Sequence, residues 1–182
     1  MASATKLEYP EESFPTLQPA FVVKIWGIVN KYAVGPVHAG GGLFAVPFEN
    51  GVVESVGDFE PKLKMQINSG CDYIKIDGDG KYGRPSVKAV FTDDEGRSVI
   101  GMAEGVTELS DAIQGVLAGT AGEGSLPFKY SVEHFKMEAG HEAYKALENM
   151  VFVCSNRFSA KADGSLGVEL RVSRVLSGTG NQ

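Results

Sequence analysis

Leu126-Pro127-Phe128-Lys129-Tyr130-Ser131-Val132-Glu133-His134-Phe135-Lys136 alternates in character along its length. As an extended strand it sets Leu126, Phe128, Tyr130, Val132 and His134 on one face and Lys129, Ser131 and Glu133 on the other, because successive side chains leave a strand on opposite sides. The first face is apolar yet carries a phenol and an imidazole. A sheet that turned it inward would present two proton-handling groups to an apolar space, the usual lining of a small-molecule site.

Outward from this stretch, short strand signals recur at even spacing. Residues 21–29 are β-branched and aromatic, with Phe21, Val23 and Ile25 on one side and Lys24 and Trp26 on the other. Residues 43–48 read as a strand, and Asn50-Gly51 reads as a hairpin turn that sends residues 52–56 back antiparallel. Strands follow at 62–67, 72–77, 86–92 and 97–104, separated by the turns Asp77-Gly78-Asp79-Gly80 and Asp93-Asp94-Glu95-Gly96. Ile113, Val116 and Leu117 fall at helical spacing within residues 107–117, with Ser110 placed to cap. Tyr144 and Leu147 predict a second helix over 140–149. Strands at 150–158 and 166–176 complete the pattern, the latter with Leu166, Val168, Leu170 and Val172 facing in. The expected fold is all-β and mainly antiparallel, a closed or nearly closed lipocalin-like barrel of about nine strands with two short helices. Residues 1–18 read as an N-terminal extension, 19–176 as the barrel domain, and 177–182 as a disordered tail.

With 182 residues the chain can bury a core without staples. Its 23 acidic against 17 basic residues give a net charge of −6, which argues against nucleic acid and anionic membrane as partners. Cys71 and Cys154 lack metal-ligand spacing and read as reduced thiols. The amino terminus carries no secretory pattern and no run is long enough for a membrane helix, so a cytoplasmic protein is expected. His38, His134 and His141 lack the spacing of a metal helix, Asp77-Gly78-Asp79-Gly80 lacks the later oxygen ligands of a calcium loop, and Gly40-Gly41-Gly42 lacks the lysine of a phosphate loop. Neither a metal nor another cofactor is expected.

Several short motifs occur in a consistent order: Ser69-Gly70-Cys71-Asp72-Tyr73, Asp77-Gly78, Thr92-Asp93-Asp94-Glu95-Gly96, His134-Phe135-Lys136-Met137-Glu138 and Tyr144-Lys145-Ala146-Leu147-Glu148. In that order the chain resembles domain-of-unknown-function family 3237, a group of small β-barrel proteins whose counterparts are a Gly-Gly-Ala-Asp-Trp box, an Asp-Gly turn, a Thr-Asp-Asp-Gly turn, an Arg-Phe-Glu-Thr-Gly-Asp stretch and a Tyr-x-Trp-Leu-Asn helix. The likeness spans residues 19–176. The box has exchanged its Trp for Tyr73, and the helix has lost Trp and Asn at Ala146 and Glu148, whereas Asp72 is kept. Similarity to divergent fungal members among natural-product pathways implies a cofactor-free isomerase or cyclase.

The candidate catalytic residues are His134 to move a proton, Asp72 to orient it, and Tyr130 to hold a developing oxyanion. Asp72 shares a face with Ile74 and Ile76, poor company for an unpaired carboxylate. Trp26, Lys24, Tyr73, Phe128, Phe152 and Met102 are the candidate substrate-binding residues. The expected activity is a proton-assisted or pericyclic ring closure, such as a Diels-Alder reaction, on an apolar secondary metabolite. The alternative is a lipocalin-like carrier that binds without reacting. The Gly-bearing stretch 118–125 reads either as a lid or as a contact in a homodimer.

Overall fold

The computed structural model describes residues 11–38 and 40–179. Among them are twelve strands: β1 (Thr16–Ile28), β2 (Tyr32–Pro36), β3 (Gly42–Phe48), β4 (Gly51–Ser55), β5 (Lys64–Ile76), β6 (Tyr82–Arg84), β7 (Ser86–Asp93), β8 (Ser98–Glu108), β9 (Gly124–Ser125), β10 (Ser131–Ala139), β11 (Phe152–Ala160) and β12 (Leu166–Leu176). One α-helix, α1 (Asp111–Leu117), follows β8, and 3₁₀ turns occupy Glu11–Ser13 and Glu142–Asn149.

β1 pairs with β4, β4 with β5, β5 with β7, β7 with β8, β8 with β10, β10 with β11, β11 with β12, and β12 with β1, every pair antiparallel. The circuit of eight strands returns to its first member and so has no open edge of its own; β3 extends from β5 and carries β2, which among the described residues pairs with β3 alone. The all-β, mainly antiparallel architecture expected from the spacing of strand signals is therefore present.

Several local expectations are corrected. Asn50-Gly51 is no hairpin. Phe48 pairs with Gly70 and Val52 with Gln66, so β3 and β4 run on in the same direction along β5. The glycine at 51 answers to crowding, because a Cβ there would lie 2.4 Å from the Lys24 carbonyl oxygen and 2.5 Å from Cδ1 of Ile67. The expected strands at 62–67 and 72–77 are one strand, β5, with a register shift between Ile67 and Ser69. β1 starts at Thr16, inside the expected extension, while residues 1–10 of that extension and 180–182 of the expected tail lie outside the described residues. Residues 177–179 run beside the first 3₁₀ turn, where the Thr179 N–H donates to the Glu12 carbonyl.

Thr107 and Glu108 remain in β8, since Thr107 is held in register against Ser131, and the helix begins only at Asp111. Ser110 stands at its N-cap position, but its hydroxyl makes no capping bond. The expected helix over 140–149 is a 3₁₀ segment, in which Tyr144 and Leu147, three apart and both buried, stack on one side at three residues per turn. Its first turn is held by His141 Nδ1, which accepts from the Ala143 N–H.

The interior has two zones. At one end Phe21 packs edge-on against Phe135 and Phe152, with centroids 5.5 and 5.4 Å apart, and Phe59 completes the cluster. Each such fully buried ring adds about 1.5–3 kcal/mol of transfer free energy. The 3₁₀ segment seals this end: the Tyr144 hydroxyl donates to Oδ2 of Asp93 at 2.6 Å, and the same carboxylate accepts from Nε of Arg97. The other end of the barrel is hollow.

Candidate functional site

The hollow end holds a cavity of about 540 Å³, within the usual range for small-molecule sites. Its wall is mostly hydrocarbon, typified by Ile25 of β1, Phe44 of β3, Ile74 of β5, Val87 of β7, Phe158 of β11 and Val168 of β12. These residues follow one another along strands whose other inward residues belong to the packed zone. Phe21 on β1 is core while Ile25 is cavity wall, and Phe152 on β11 is core while Phe158 is wall.

α1 contributes Gln114 and Leu117 to the lining. Lys31, from the β1–β2 connection, reaches across to donate to the Leu117 carbonyl at the carboxyl end of the helix, where a cation is favoured by the orphan carbonyls.

Two carboxyl groups face this apolar space, Asp72 from β5 and Glu133 from β10. The register shift between Ile67 and Ser69 places Asp72 there. Before it Met65 and Ile67 point inward; after it the inward parity passes to Asp72, Ile74 and Ile76. A bulge that re-aims a side chain is a recurrent device beside functional sites. Burial pushes the Asp72 carboxyl from 3.8 to about 6, opposed by the Ser86 N–H that donates to its Oδ1 at 3.0 Å.

Glu133 is 4% exposed. Burial raises its carboxyl from 4.5 to about 7, the negative charge of Asp72 adds to the rise, and hydrogen bonds from Ser131 and Asn156 oppose it. Oε1 of Glu133 accepts from Nδ2 of Asn156 at 2.5 Å and from the Ser131 hydroxyl at 3.3 Å. Ser131 Oγ in turn lies 2.9 Å from Thr107 Oγ1 and accepts from Asn156 Nδ2 at 3.2 Å. Gly105, paired with Glu133, makes the fit possible: a Cβ there would sit 2.6 Å from Cα and 2.7 Å from Cγ of Glu133. Oε2 of Glu133 and Oδ1 of Asn156 have no hydrogen-bond partner among the described residues.

This geometry overturns the expected face of the opening stretch. Ser131, Glu133, Phe135, Met137 and Ala139 point inward, and Val132, His134 and Lys136 point outward. Residues 126–130 are not strand, because Pro127 has no N–H to give a ladder and the chain turns at Phe128 and Lys129, so their parity does not carry into β10. His134 is an exposed side chain at 68% accessibility, 3.7 Å from Glu104 on the outer surface. Tyr130 lies outside the cavity under the Lys129 ammonium, 5.0 Å from its ring centroid. Asp72 therefore meets no imidazole; it shares the cavity wall with Glu133, which feels its charge.

None of the six expected binding residues lines the cavity. Lys24, Trp26 and Tyr73 occupy the outward parity of β1 and β5 and are exposed. The guanidinium groups of Arg157 and Arg171 lie over the Phe128 ring, 4.9 and 5.7 Å from its centroid. Phe152 is fully buried in the packed core, and Met102 pairs with Lys136 on the parity opposite to Ala103. Glu133 and Asn156 are not among the expected residues, and Glu133 had a signal: carried three residues further, to Ala139, the alternation puts Phe135, Met137 and Ala139 on the parity of Glu133.

Cys71 and Cys154 are free thiols. Among the described residues no cluster of three or more His, Cys, Asp or Glu side chains could hold a metal ion, and no helix is long and apolar enough to cross a membrane.

Residues 15–175 match the family described as "Protein of unknown function (DUF3237)". Solved structures share the fold, three of them as follows. A conserved protein of unknown function from Rhodopseudomonas palustris aligns at 22% identity, covering 88% of this chain and 99% of that one, with a TM-score of 0.69. A protein of unknown function from Clostridium acetobutylicum ATCC 824 aligns at 17% identity over 88% and 99%, with a TM-score of 0.66. A protein from Acinetobacter baumannii AYE, described as beta-barrel like, aligns at 16% identity over 94% and 100%, with a TM-score of 0.65. No curated protein matches the chain.

Proposed function

The chain belongs to the DUF3237 family, and from that premise we propose that it is a cofactor-independent isomerase or cyclase acting on an apolar metabolite held in the barrel. The observation that carries this reading is the pair Asp72 and Glu133, two carboxyl groups facing one apolar cavity with proton affinities raised toward neutrality. Near pH 7 the lower of the two is mostly ionised and the higher retains much of its proton. Groups set apart in this way can act as base and acid on one substrate.

On this reading Asp72 takes a proton from a carbon next to a carbonyl while Glu133 gives its proton to the carbonyl oxygen, producing an enol. Return of a proton to a different carbon yields an isomer. Attack of the enol carbon on an electrophilic carbon of the same molecule yields a ring. Neither outcome changes the oxidation level of the substrate as a whole, so both are complete with these two groups. The walls would also hold the substrate folded, and positioning of this kind supplies part of an intramolecular rate gain. Secondary metabolites are the substrate class we favour, and the free thiols suit a cytoplasmic location.

The test is general-base turnover of 5-nitrobenzisoxazole, whose ring opens on loss of one carbon-bound proton. The reading expects acceleration over buffer that falls by about 10²-fold or more in Asp72→Asn while the affinity for the probe persists. Equal rates in the two proteins, with binding intact in both, would favour a carrier that binds without reacting.

A further inference from the structure

The hydrogen bonds around Glu133 fix more than its position. Oε1 already accepts from Asn156 and Ser131, so in the neutral acid the proton belongs on Oε2, the oxygen without a protein partner. The Asn156 amide spends its Nδ2 on Glu133 and Ser131, and its Oδ1 is likewise unpartnered among the described residues. Glu133 and Asn156 are 4% and 3% exposed, and both line the cavity. Two neighbouring cavity-lining residues thus each hold one buried polar atom without a partner among the described residues, a donor on Glu133 and an acceptor on Asn156, and each costs free energy until it is met.

We propose, on the footing of the acid–base reading above, that the ligand is a neutral conjugated carbonyl compound carrying an O–H or N–H beside its carbonyl: the carbonyl accepts from Oε2 of Glu133, and the O–H or N–H donates to Oδ1 of Asn156. Enolised diketones, hydroxy-enones and lactams have this edge. An anion would face the negative charge of Asp72, and a cation would exchange its hydration for a wall of hydrocarbon. A plain hydrocarbon would leave both polar atoms unmet. Sites that lose a hydrogen-bonding group of their ligand discriminate strongly, because the buried partner is left bare.

The experiment uses quinolin-2-one and coumarin, a pair of nearly equal shape in which a ring oxygen replaces the N–H, titrated by calorimetry against the full chain. Quinolin-2-one is expected to bind at least about 10-fold more tightly, the value of one buried hydrogen bond, and Asn156→Leu is expected to erase the preference. Glu133→Gln keeps a donor at the position of Oε2, so it should retain quinolin-2-one affinity and remove its loss between pH 6 and 8. That variant also guards against a misfolded Asn156→Leu. Equal affinities for the two probes, binding of neither at millimolar concentration, or tighter binding of N-methylquinolinium than of quinolin-2-one would overturn the proposal. Selectivity for quinolin-2-one without any base-catalysed turnover would leave this inference standing and remove the catalytic one.

Discussion

Nδ2 of Asn156 donates to Oε1 of Glu133 at 2.5 Å, and that bond leaves the other carboxyl oxygen of this cavity-lining residue without a partner among the described residues. The two residues come from the neighbouring strands β11 and β10, and Ser131, in register with Asn156, joins them. A carboxyl held by one oxygen keeps the other in a defined direction, the condition for acting on a bound molecule.

Stability should fall as pH rises through the range in which the cavity carboxyls ionise. The folded values of Asp72 and Glu133 lie above 3.8 and 4.5, at about 6 and about 7. Below the ordinary carboxylate range both states of the chain are protonated and nothing is lost. As pH climbs through the folded values, the folded chain must accept two buried charges that the unfolded chain carries in water. Asp93 and Glu169, whose values are lowered, act with the opposite sign, so the informative quantity is the difference between variant and wild type. In urea titrations, Glu133→Gln should gain on the order of 1–3 kcal/mol relative to wild type between pH 4.5 and pH 8. Parallel pH profiles would show that Glu133 ionises without penalty.

Ligand exchange should depend on Lys31. Its bond to the Leu117 carbonyl ties the β1–β2 connection to the end of α1, and both Lys31 and Leu117 line the cavity. Lys31→Ala should raise the dissociation rate of a cavity ligand by about 3- to 10-fold, as loss of one hydrogen bond allows, with the melting temperature nearly unchanged. Stopped-flow displacement of a fluorescent probe measures this, and an unaltered off-rate would show that the helix end does not gate the site.

Gly51→Ala should destabilise the barrel by about 1–3 kcal/mol, the range for overpacking. The added methyl would meet the Lys24 carbonyl at 2.4 Å and Ile67 at 2.5 Å, and neither strand can retreat without breaking pairings of β4. Thermal unfolding tests it. A variant as stable as wild type would return the residue to the role of a turn glycine.

His134→Ala should change neither stability, beyond about 0.5 kcal/mol, nor probe affinity, because the imidazole lies outside the barrel. A loss of binding or turnover in this variant would contradict the outward parity of its strand.

Alternation and spacing alone were enough to read an antiparallel barrel, for they depend on local chemistry: β-branched and aromatic residues in short runs, punctuated by Asp-Gly turns. The shared face of Phe21, Val23 and Ile25 on β1, and of Asp72, Ile74 and Ile76 on β5, was legible for the same reason, and the closed sheet turned both faces inward. Parity fails where the chain inserts a residue or stops being a strand, and both events shape this site. The shift after Ile67 gives the cavity Asp72 from a strand that earlier pointed Met65 into the core. The turn at residues 126–130 separates Tyr130 from the count that governs Glu133. Asn50-Gly51 shows the same limit, since a dipeptide suited to a hairpin serves here as the point where two strands crowd. Closure of the ring then brings β5 and β10 to face one hollow, and no local pattern records that meeting. The sequence determined most of the segments that are strands; only the closed sheet decided that two carboxyls would share an apolar space, because a raised proton affinity arises from what surrounds a group and not from its neighbours along the chain.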